Sequence, residues 1–514
     1  MHQVDITCRP DEIDDAALIE KKIKKAAKGK RFQSYQLIRR WIDSRGRSPK
    51  FGLRFALLED QDETIELAIS EYQHVDDSSA TVHIIGAGPA GYFAAFECLK
   101  HGLKPIVLEQ GKDVRERRRD LKAIQQESIV NPHSNYCFGE GGAGTYSDGK
   151  LYTRAKKRGD INAVLSVLVA HGSNPDILID AHPHIGSNKL PGIIANMRST
   201  IERHGGEIHF NREVVDIVAS EGRVSHLVFK DDKKIDVSNV ILATGHSARK
   251  IYELFDEKGW ALKAKSFALG ARIEHPQGLI DQMQYGHYPR HDNLPAAAYR
   301  LACEVDERGV FSFCMCPGGL IVPAATAPGE LVVNGMSLSR RDSPFANSGF
   351  VVSIEPEDVT DDPNDYKACL EFQMELERIM FNEGDGSQAA PAQRVQDFMA
   401  GRKSISLPRT SYIPGIYSAR IDELLPPFIV DRMRIALKQF DRKLRGKYLH
   451  QDAVLVGIES RTSAPIKIPR KDDSLEHLDV AGLYPCGEGA GYAGGIMSAA
   501  LDGQRVVQAI LASF

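Results

Sequence analysis

Three glycines and one acid carry the first chemical signal in this chain. Gly86, Gly88 and Gly91 follow the apolar run Val82-His83-Ile84-Ile85 in G-x-G-x-x-G spacing. Glu109 closes the next apolar run, Ile106-Val107-Leu108, after a helical stretch that Gly102 ends. In a strand–turn–helix–strand unit this pattern binds a dinucleotide. Gly86 makes the tight turn, Gly88 lets the backbone approach a pyrophosphate, and Gly91 lets helix and strand pack closely. Pro89 and Ala90 open the helix, whose free N–H groups attract phosphate charge. Glu109 can accept hydrogen bonds from an adenosine ribose. The plainer alternative is a structural glycine turn in a βαβ unit.

A second group of residues suggests chemistry on a substrate. Cys314 and Cys316 lie one residue apart, before Pro317-Gly318-Gly319. Two such thiols can exchange electrons with a redox cofactor, or one can attack a substrate. The alternative is two half-buried cysteines on a strand before a Gly-Gly turn. No thiolate activator stands close to them in sequence. Arg461 has a fork that suits a planar anion, or it forms a structural ion pair with Glu459. Arg272-Ile273-Glu274-His275 offers a cation, an acid and a base to a cleft, or forms an outward strand face. His182 and His184, flanking Pro183, read as loop structure. No metal site is expected, because C-x-x-C pairs and close histidine clusters are missing from the sequence.

The elements that must position these residues can be read from the pattern. The chain has 514 residues, too many for one compact core. Hydrophobic content of 42% and charged content of 26% are ordinary for a globular protein. A net charge of −4 gives no reason to expect a polyanion partner for the whole chain. No run of apolar residues is long enough to span a membrane, and the first residues do not form a secretory signal. Eight scattered cysteines point to a reducing, cytoplasmic setting.

Residues 1–76 read as a small basic α+β domain. Val4, Ile6 and Cys8 alternate as in a strand, Asp14 or Asp15 can cap a helix that Gly29 ends, and Phe51, Leu53, Phe55 and Leu57 alternate again. Residues 64–70 read as a further strand, and Asp76 to Ser79 as a linker. Twelve Lys or Arg and one acid fall in 21–50. That segment can face nucleic acid, but no aromatic platform interleaves the charges, so a solvated basic face is the simpler reading and nucleic acid is not the expected partner. Residues 80–255 form the first part of a nucleotide-binding domain. They include a helix near 189–204, a strand pair at 207–217 and 224–230, and an apolar strand ending in Ala243-Thr244-Gly245. Residues 256–450 read as an inserted α+β cap or substrate domain, with strands near 330–338 and 350–354 and a helix near 365–382. Residues 451–514 return to nucleotide-binding grammar: Gly487-Glu488 and a glycine-rich turn feed a last amphipathic helix.

These pieces resemble the glutathione-reductase-like flavoproteins with two dinucleotide-binding motifs. More closely, they resemble a family of bacterial FAD-dependent dehydrogenases of poorly defined substrate. The stretches Phe138–Leu151, Pro183–Gly186, Gly457–Pro465 and Gly487–Ile496 carry that likeness. The resemblance implies an α/β fold: a discontinuous Rossmann-like FAD-binding domain, an inserted α+β cap and a small N-terminal domain. It implies non-covalent FAD. Gly86, Gly88 and Gly91 would hold the pyrophosphate and Glu109 the ribose. The 139–149 loop would run along the pyrophosphate and flavin, with Gly141, Gly142 and Ser147 as contacts. Val214 would meet the adenine through backbone atoms, and Thr244 and Gly245 would lie near the adenosine half. Glu488, after Gly487, stands where the wider class carries Asp and would bind a ribityl hydroxyl. Gly494, Gly495 and Ile496 would set a helix N-terminus at the flavin pyrimidine edge, where its dipole favours negative charge.

The expected function is that of an FAD-dependent oxidoreductase acting on a small molecule by hydride transfer. Only one complete glycine fingerprint occurs, so either NAD(P)H docks transiently as electron donor or the substrate itself reduces the flavin. The alternatives are a flavoprotein acting on RNA through its basic N-terminal domain, or a flavin-binding protein without turnover. Substrate and oligomeric state are not encoded in these motifs.

Overall fold

The computed structural model describes residues 2–46, 48–59, 71–153 and 159–513. Its centre is a five-stranded parallel sheet in the order Leu483–Pro485, Val240–Leu242, Thr81–Ile85, Lys104–Leu108, Glu207–His209. The first four strands are apolar because both faces are covered. Ile84, Val107, Ile241 and Tyr484 point to one side, into a core shared with the helices Pro89–Lys100, Leu190–Arg203 and Ile496–Leu511. Ile85, Leu108, Val240 and Leu242 point to the other, against the antiparallel strands Val214–Ser220 and Arg223–Phe229. The stretch 207–217, expected as one strand, is two: Glu207–His209 joins the parallel sheet and Val214–Ser220 joins the antiparallel layer. Asn211, with φ of +55°, lies between them.

The N-terminal unit is a three-stranded antiparallel sheet, His2–Cys8, Lys50–Leu58 and Ser34–Asp43, with the helix Ala16–Ala26 packed on it. Asp15 is the cap: its carboxylate accepts the Leu18 N–H. The strand expected at 64–70 lies outside the described residues. Part of the basic segment is paired internally. Lys22 meets Glu12 at 2.6 Å, and Arg40 meets Asp176 and Asp180 at 2.9 and 2.7 Å. The Arg40 backbone also exchanges hydrogen bonds with Ile179 and Ala181, which docks this unit beside the nucleotide-binding half.

The third unit is a seven-stranded sheet: Ala302–Val305, Arg308–Cys316, Phe345–Ile354, Phe267–Pro276, Val454–Glu459, Ala390–Arg394, Ile416–Ser418. Helices Tyr366–Asn382 and Pro427–Lys443 share its core through Leu376, Met380, Met433 and Phe440. One expected boundary needs correction. Val454–Glu459, assigned from sequence to the second nucleotide-binding segment, is an inner strand of this sheet and pairs with Phe267–Pro276 and Ala390–Arg394. Its unbroken apolar run fits a strand buried on both faces, which occurs in either kind of sheet. The chain leaves the unit afterwards, where Ile466–Lys467 pairs with Lys263–Ala264. Among the described residues, no helix is long and apolar enough to cross a membrane.

Candidate functional site

The C-terminal ends of three adjacent parallel strands bring the glycine motifs together. Residues 86–91 follow Thr81–Ile85, residues 243–245 follow Val240–Leu242, and residues 487–489 follow Leu483–Pro485. Ligands of open α/β sheets bind at such ends. Gly86 has φ of +109°, and a Cβ there would meet the Ala243 carbonyl oxygen at 2.4 Å. A Cβ at Gly91 would lie 2.0 Å from the Gly86 carbonyl oxygen, and one at Gly489 would lie 2.4 Å from that of Gly245. These positions are glycine because backbone packs on backbone.

Gly88 and Gly494 differ. Their φ values are not left-handed, and a Cβ at either would meet little of the protein: Gly142 Cα at 3.9 Å for Gly88, and nothing within 4 Å for Gly494. Gly88 also caps the helix Pro89–Lys100 without any side-chain hydrogen bond, so first-turn N–H groups remain for a ligand. An open backbone face beside unsatisfied helix donors fits a bound pyrophosphate.

The 139–150 loop traces a path across this ground. At its start the Gly139 N–H donates to Glu109 Oε1 at 3.0 Å. Glu109 Oε1 also accepts from Gly111 N–H and Oε2 accepts from Ala87 N–H, each at 2.9 Å. Glu109 therefore stitches the glycine turn to the loop, and Oε2, with one protein donor among the described residues, retains capacity for a ribose hydroxyl. Next, the Gly141 N–H donates to the Ala87 carbonyl at 2.8 Å, and Gly142 packs against Gly88. Further on, a Cβ at Gly144 would meet Ile496 at 3.1 Å, the first residue of the terminal helix. Ser147 spends its hydroxyl locally, donating to Gly144 O and accepting from Gly149 N–H. The loop ends at Lys150, whose ammonium donates to the Met315 carbonyl, between the two cysteines. Along one loop stand Glu109, the 86–91 glycine turn, the terminal helix N-terminus and the C-x-C segment, in that order.

Two residues that brace this path were not singled out from sequence. Arg117 is fully buried and donates to the carbonyls of Asn135, Tyr136, Glu140 and Gly142 at 2.8–2.9 Å. A signal existed: Arg117 falls on the helical stripe Val114, Leu121, Ile124, where a cation must have buried partners. Asp502, in the terminal helix, accepts the Gly487 N–H at 2.8 Å and pairs with Arg470 at 2.7 Å.

Val214 begins its strand close to the ribose acid, since Arg212 N–H donates to the Glu109 carbonyl at 2.8 Å. Thr244 Cα lies 3.3 Å from a Cβ built on Gly86, and Gly487 lies against Ala90. Glu488 accepts from the Gly495 N–H and meets His246 Nδ1 at 3.0 Å. Burial works to raise the Glu488 pKa, but the His246 hydrogen bond, the Gly495 N–H and Lys265 outweigh it and hold the carboxyl below its ordinary value. Its longer side chain thus bridges a histidine and the start of the terminal helix.

The expected substrate-side residues change character in the structure. Arg461 pairs not with Glu459 but with Glu330 and Glu377, at 2.8 and 2.7 Å, and also donates to Thr326. Arg249 meets the same two carboxylates at 2.6 Å each. The arginine side chains are at most 11% exposed, and two cations there balance two anions. Arg461 is therefore a buried structural ion rather than a free anchor for a substrate. Arg272, Glu274 and His275 present neither a cleft face nor an outward face, because all three are buried in a central strand. Arg272 pairs with Glu459 at 2.7 Å, Glu274 accepts from Ser411, and His275 bonds the Tyr448 carbonyl.

Cys314 and Cys316 end the strand Arg308–Cys316 at a bulge, and both are free thiols. They are not equivalent. Cys316 is buried, whereas Cys314 is exposed, with φ of +41°. Activators that sequence separates from them do arrive. Arg272 approaches Cys316 Sγ at 3.6 Å, and Lys150 stands beside both sulfurs. Desolvation nevertheless wins: the Cys314 thiol is pushed up to about 11, against the pull of Lys150, and Cys316 is raised too. Both are protonated near neutrality, which disfavours a resting thiolate.

A protein of Clostridium beijerinckii (strain ATCC 51743 / NCIMB 8052), described as an uncharacterized protein, is 40% identical over 523 residues, covering 98% of this chain and 97% of that one. The chain belongs to its family. Within the chain, residues 266–462 match the family described as FAD-dependent protein, C-terminal domain-like. That segment contains the seven-stranded sheet. Solved structures similar to the chain include glycine oxidase from Bacillus cereus ATCC 14579, at 12% identity over 86% of this chain and 96% of that one, TM-score 0.30. L-proline dehydrogenase from P. horikoshii matches at 10% identity over 85% and 94%, TM-score 0.33. Likenesses this loose carry no argument about the site.

Proposed function

We propose that this protein binds FAD non-covalently and acts as an oxidoreductase on a small molecule. The observation that carries the reading is the path of the 139–150 loop. It passes a ribose-competent acid, a glycine turn open to a pyrophosphate and a helix N-terminus before it reaches the C-x-C segment. The match of residues 266–462 to an FAD-dependent family supports the same cofactor. Bound FAD supplies two-electron redox chemistry at its isoalloxazine ring.

The chain's own residues then have separable tasks. Glu109 and the N-terminus of the helix Pro89–Lys100 hold the adenosine diphosphate half. Arg117 fixes the loop that covers it. The start of the helix Ile496–Leu511, with Glu488 and His246 beside it, receives the negative end of the cofactor. The seven-stranded sheet closes the substrate side, with Cys314 exposed there as a neutral thiol. The electron partner is the substrate itself or a transiently docked NAD(P)H.

Acid precipitation of the purified protein should release a yellow supernatant that chromatography identifies as FAD. FMN, or colour retained in the pellet, would sink the cofactor assignment. Anaerobic addition of NADH, NADPH and a metabolite panel then tests turnover, since a true electron donor bleaches the flavin band.

A further inference from the structure

The loop that crosses the nucleotide ground ends in a charge imbalance. Asp148 is in ion-pair contact with two cations. Arg341 lies at 2.5 Å and Lys150 at 3.4 Å. Arg341 and the Ser337 hydroxyl occupy Asp148 closely, and its side chain is 5% exposed. The Lys150 side chain is 38% exposed although it reaches deep enough to donate to the Met315 carbonyl. An ammonium has three donors; the Met315 carbonyl and the distant Asp148 oxygen use at most two. The neighbouring groups do not cancel the excess. Both thiols are protonated near neutrality, Arg272 is already paired with Glu459, and burial keeps His184 neutral. Burial also opposes the Lys150 charge, but Cys316, once it has lost its own proton, and Asp148 outweigh it and hold the ammonium above the ordinary lysine value. Among the described residues, what remains is one positive charge, reachable by a ligand and near the exposed Cys314.

We infer that Lys150 is the subsite for the carboxylate of a small anionic substrate. This rests on the flavoprotein reading above, because that reading places the far end of the loop on the substrate side. One net positive charge with a free donor matches one carboxylate. A phosphate dianion would leave one of its charges unmatched beside a half-exposed ammonium. The donor is a point charge on a flexible stem rather than a rigid fork, so the site should discriminate charge more strongly than shape.

Titration calorimetry on the full-length, flavin-containing protein tests this with matched probes: acetate against acetamide, and benzoate against benzamide. At least one carboxylate should bind roughly tenfold or more tightly than its amide, and Lys150→Gln should remove that preference while Lys150→Arg keeps much of it. Equal binding of acid and amide by the parent protein, or no binding of either carboxylate, would overturn the inference without any variant. So would a flavin-containing Lys150→Gln that binds carboxylate as tightly as the parent. Heat of binding is read independently of flavin, so the two readings separate. A colourless protein that still prefers carboxylates keeps the Lys150 subsite and removes FAD. A yellow protein indifferent to carboxylates does the reverse.

Discussion

At the glycine turns, the proposed cofactor would be held by backbone groups, and glycines clear the way. At the centre of the seven-stranded sheet, charged side chains from distant segments neutralise one another. Gly88 and Gly494 leave open backbone faces, and Gly88 opens a helix whose cap has no side-chain partner. Arg272, Arg461, Glu377 and Glu459 are buried and fully occupied by their partners. The first arrangement is incomplete without a ligand; the second is complete without one. A substitution in the first region should therefore cost cofactor and spare the fold, and one in the second should cost the fold first.

The largest expected effect is at Gly88. A Cβ at Gly88 meets only Gly142 Cα, at 3.9 Å, and a valine there would enter the proposed pyrophosphate path, so Gly88→Val should lose at least about nine-tenths of its bound flavin, a loss of more than roughly 1.4 kcal/mol in affinity. Its melting temperature, compared with flavin-stripped parent protein, should be unchanged. Full flavin content in Gly88→Val would end the contrast between the two regions.

Glu377→Ala should act the other way. Removing this carboxylate leaves Arg249 and Arg461 short of a buried counter-ion, at a cost of about 3–5 kcal/mol in denaturant unfolding. The pH dependence has a definite sign. Burial works to raise the Glu377 pKa, but Arg461 and Arg249 outweigh it and lower it to about 2 from 4.5. A depressed folded-state pKa contributes stability above the unfolded value, and that contribution is lost as pH falls from about 4.5 towards about 2. Glu377→Ala should show a shallower loss of stability across that window than the parent.

A smaller effect sharpens the comparison within the C-x-C segment. Cys316→Ser buries a hydroxyl in place of a thiol and should cost about 1–3 kcal/mol. Cys314→Ser, at the exposed position, should stay within about 0.5 kcal/mol of the parent. Alkylation should follow the same split. Cys314 should react in the native protein, slowly at neutral pH and faster as pH rises towards about 11, while Cys316 waits for unfolding. If both substitutions leave melting unchanged but stop turnover, the segment is a reaction centre rather than a wall.

The fold of the nucleotide-type half was legible because its pattern is local. A glycine turn between strand and helix, an acid after the next strand and a glycine-rich turn before the last helix are each written in consecutive residues. Their spacing follows from the geometry of one βαβ unit. The sheet half was not legible in the same way. Arg461 stands two residues from Glu459, yet its partners are Glu330 and Glu377, while Glu459 answers Arg272. Successive strand residues face opposite sides, and pairing between strands remote in sequence chooses the neighbours. The strand Val454–Glu459 read as nucleotide-binding because an apolar run looks alike in either sheet.

By itself, then, the sequence determined the parallel strands, the glycine turns between them and the place of Glu109 at the end of a strand. Each depends on backbone geometry that a short window of residues dictates. Only the tertiary structure decided which ions are spent on one another and which remains for a ligand. Arg461 and Lys150 are both cations, and nothing in either local sequence says that the first is neutralised and the second is not. Charge balance in a low-dielectric interior is a property of the whole neighbourhood, and here segments from every part of the two large units assemble that neighbourhood.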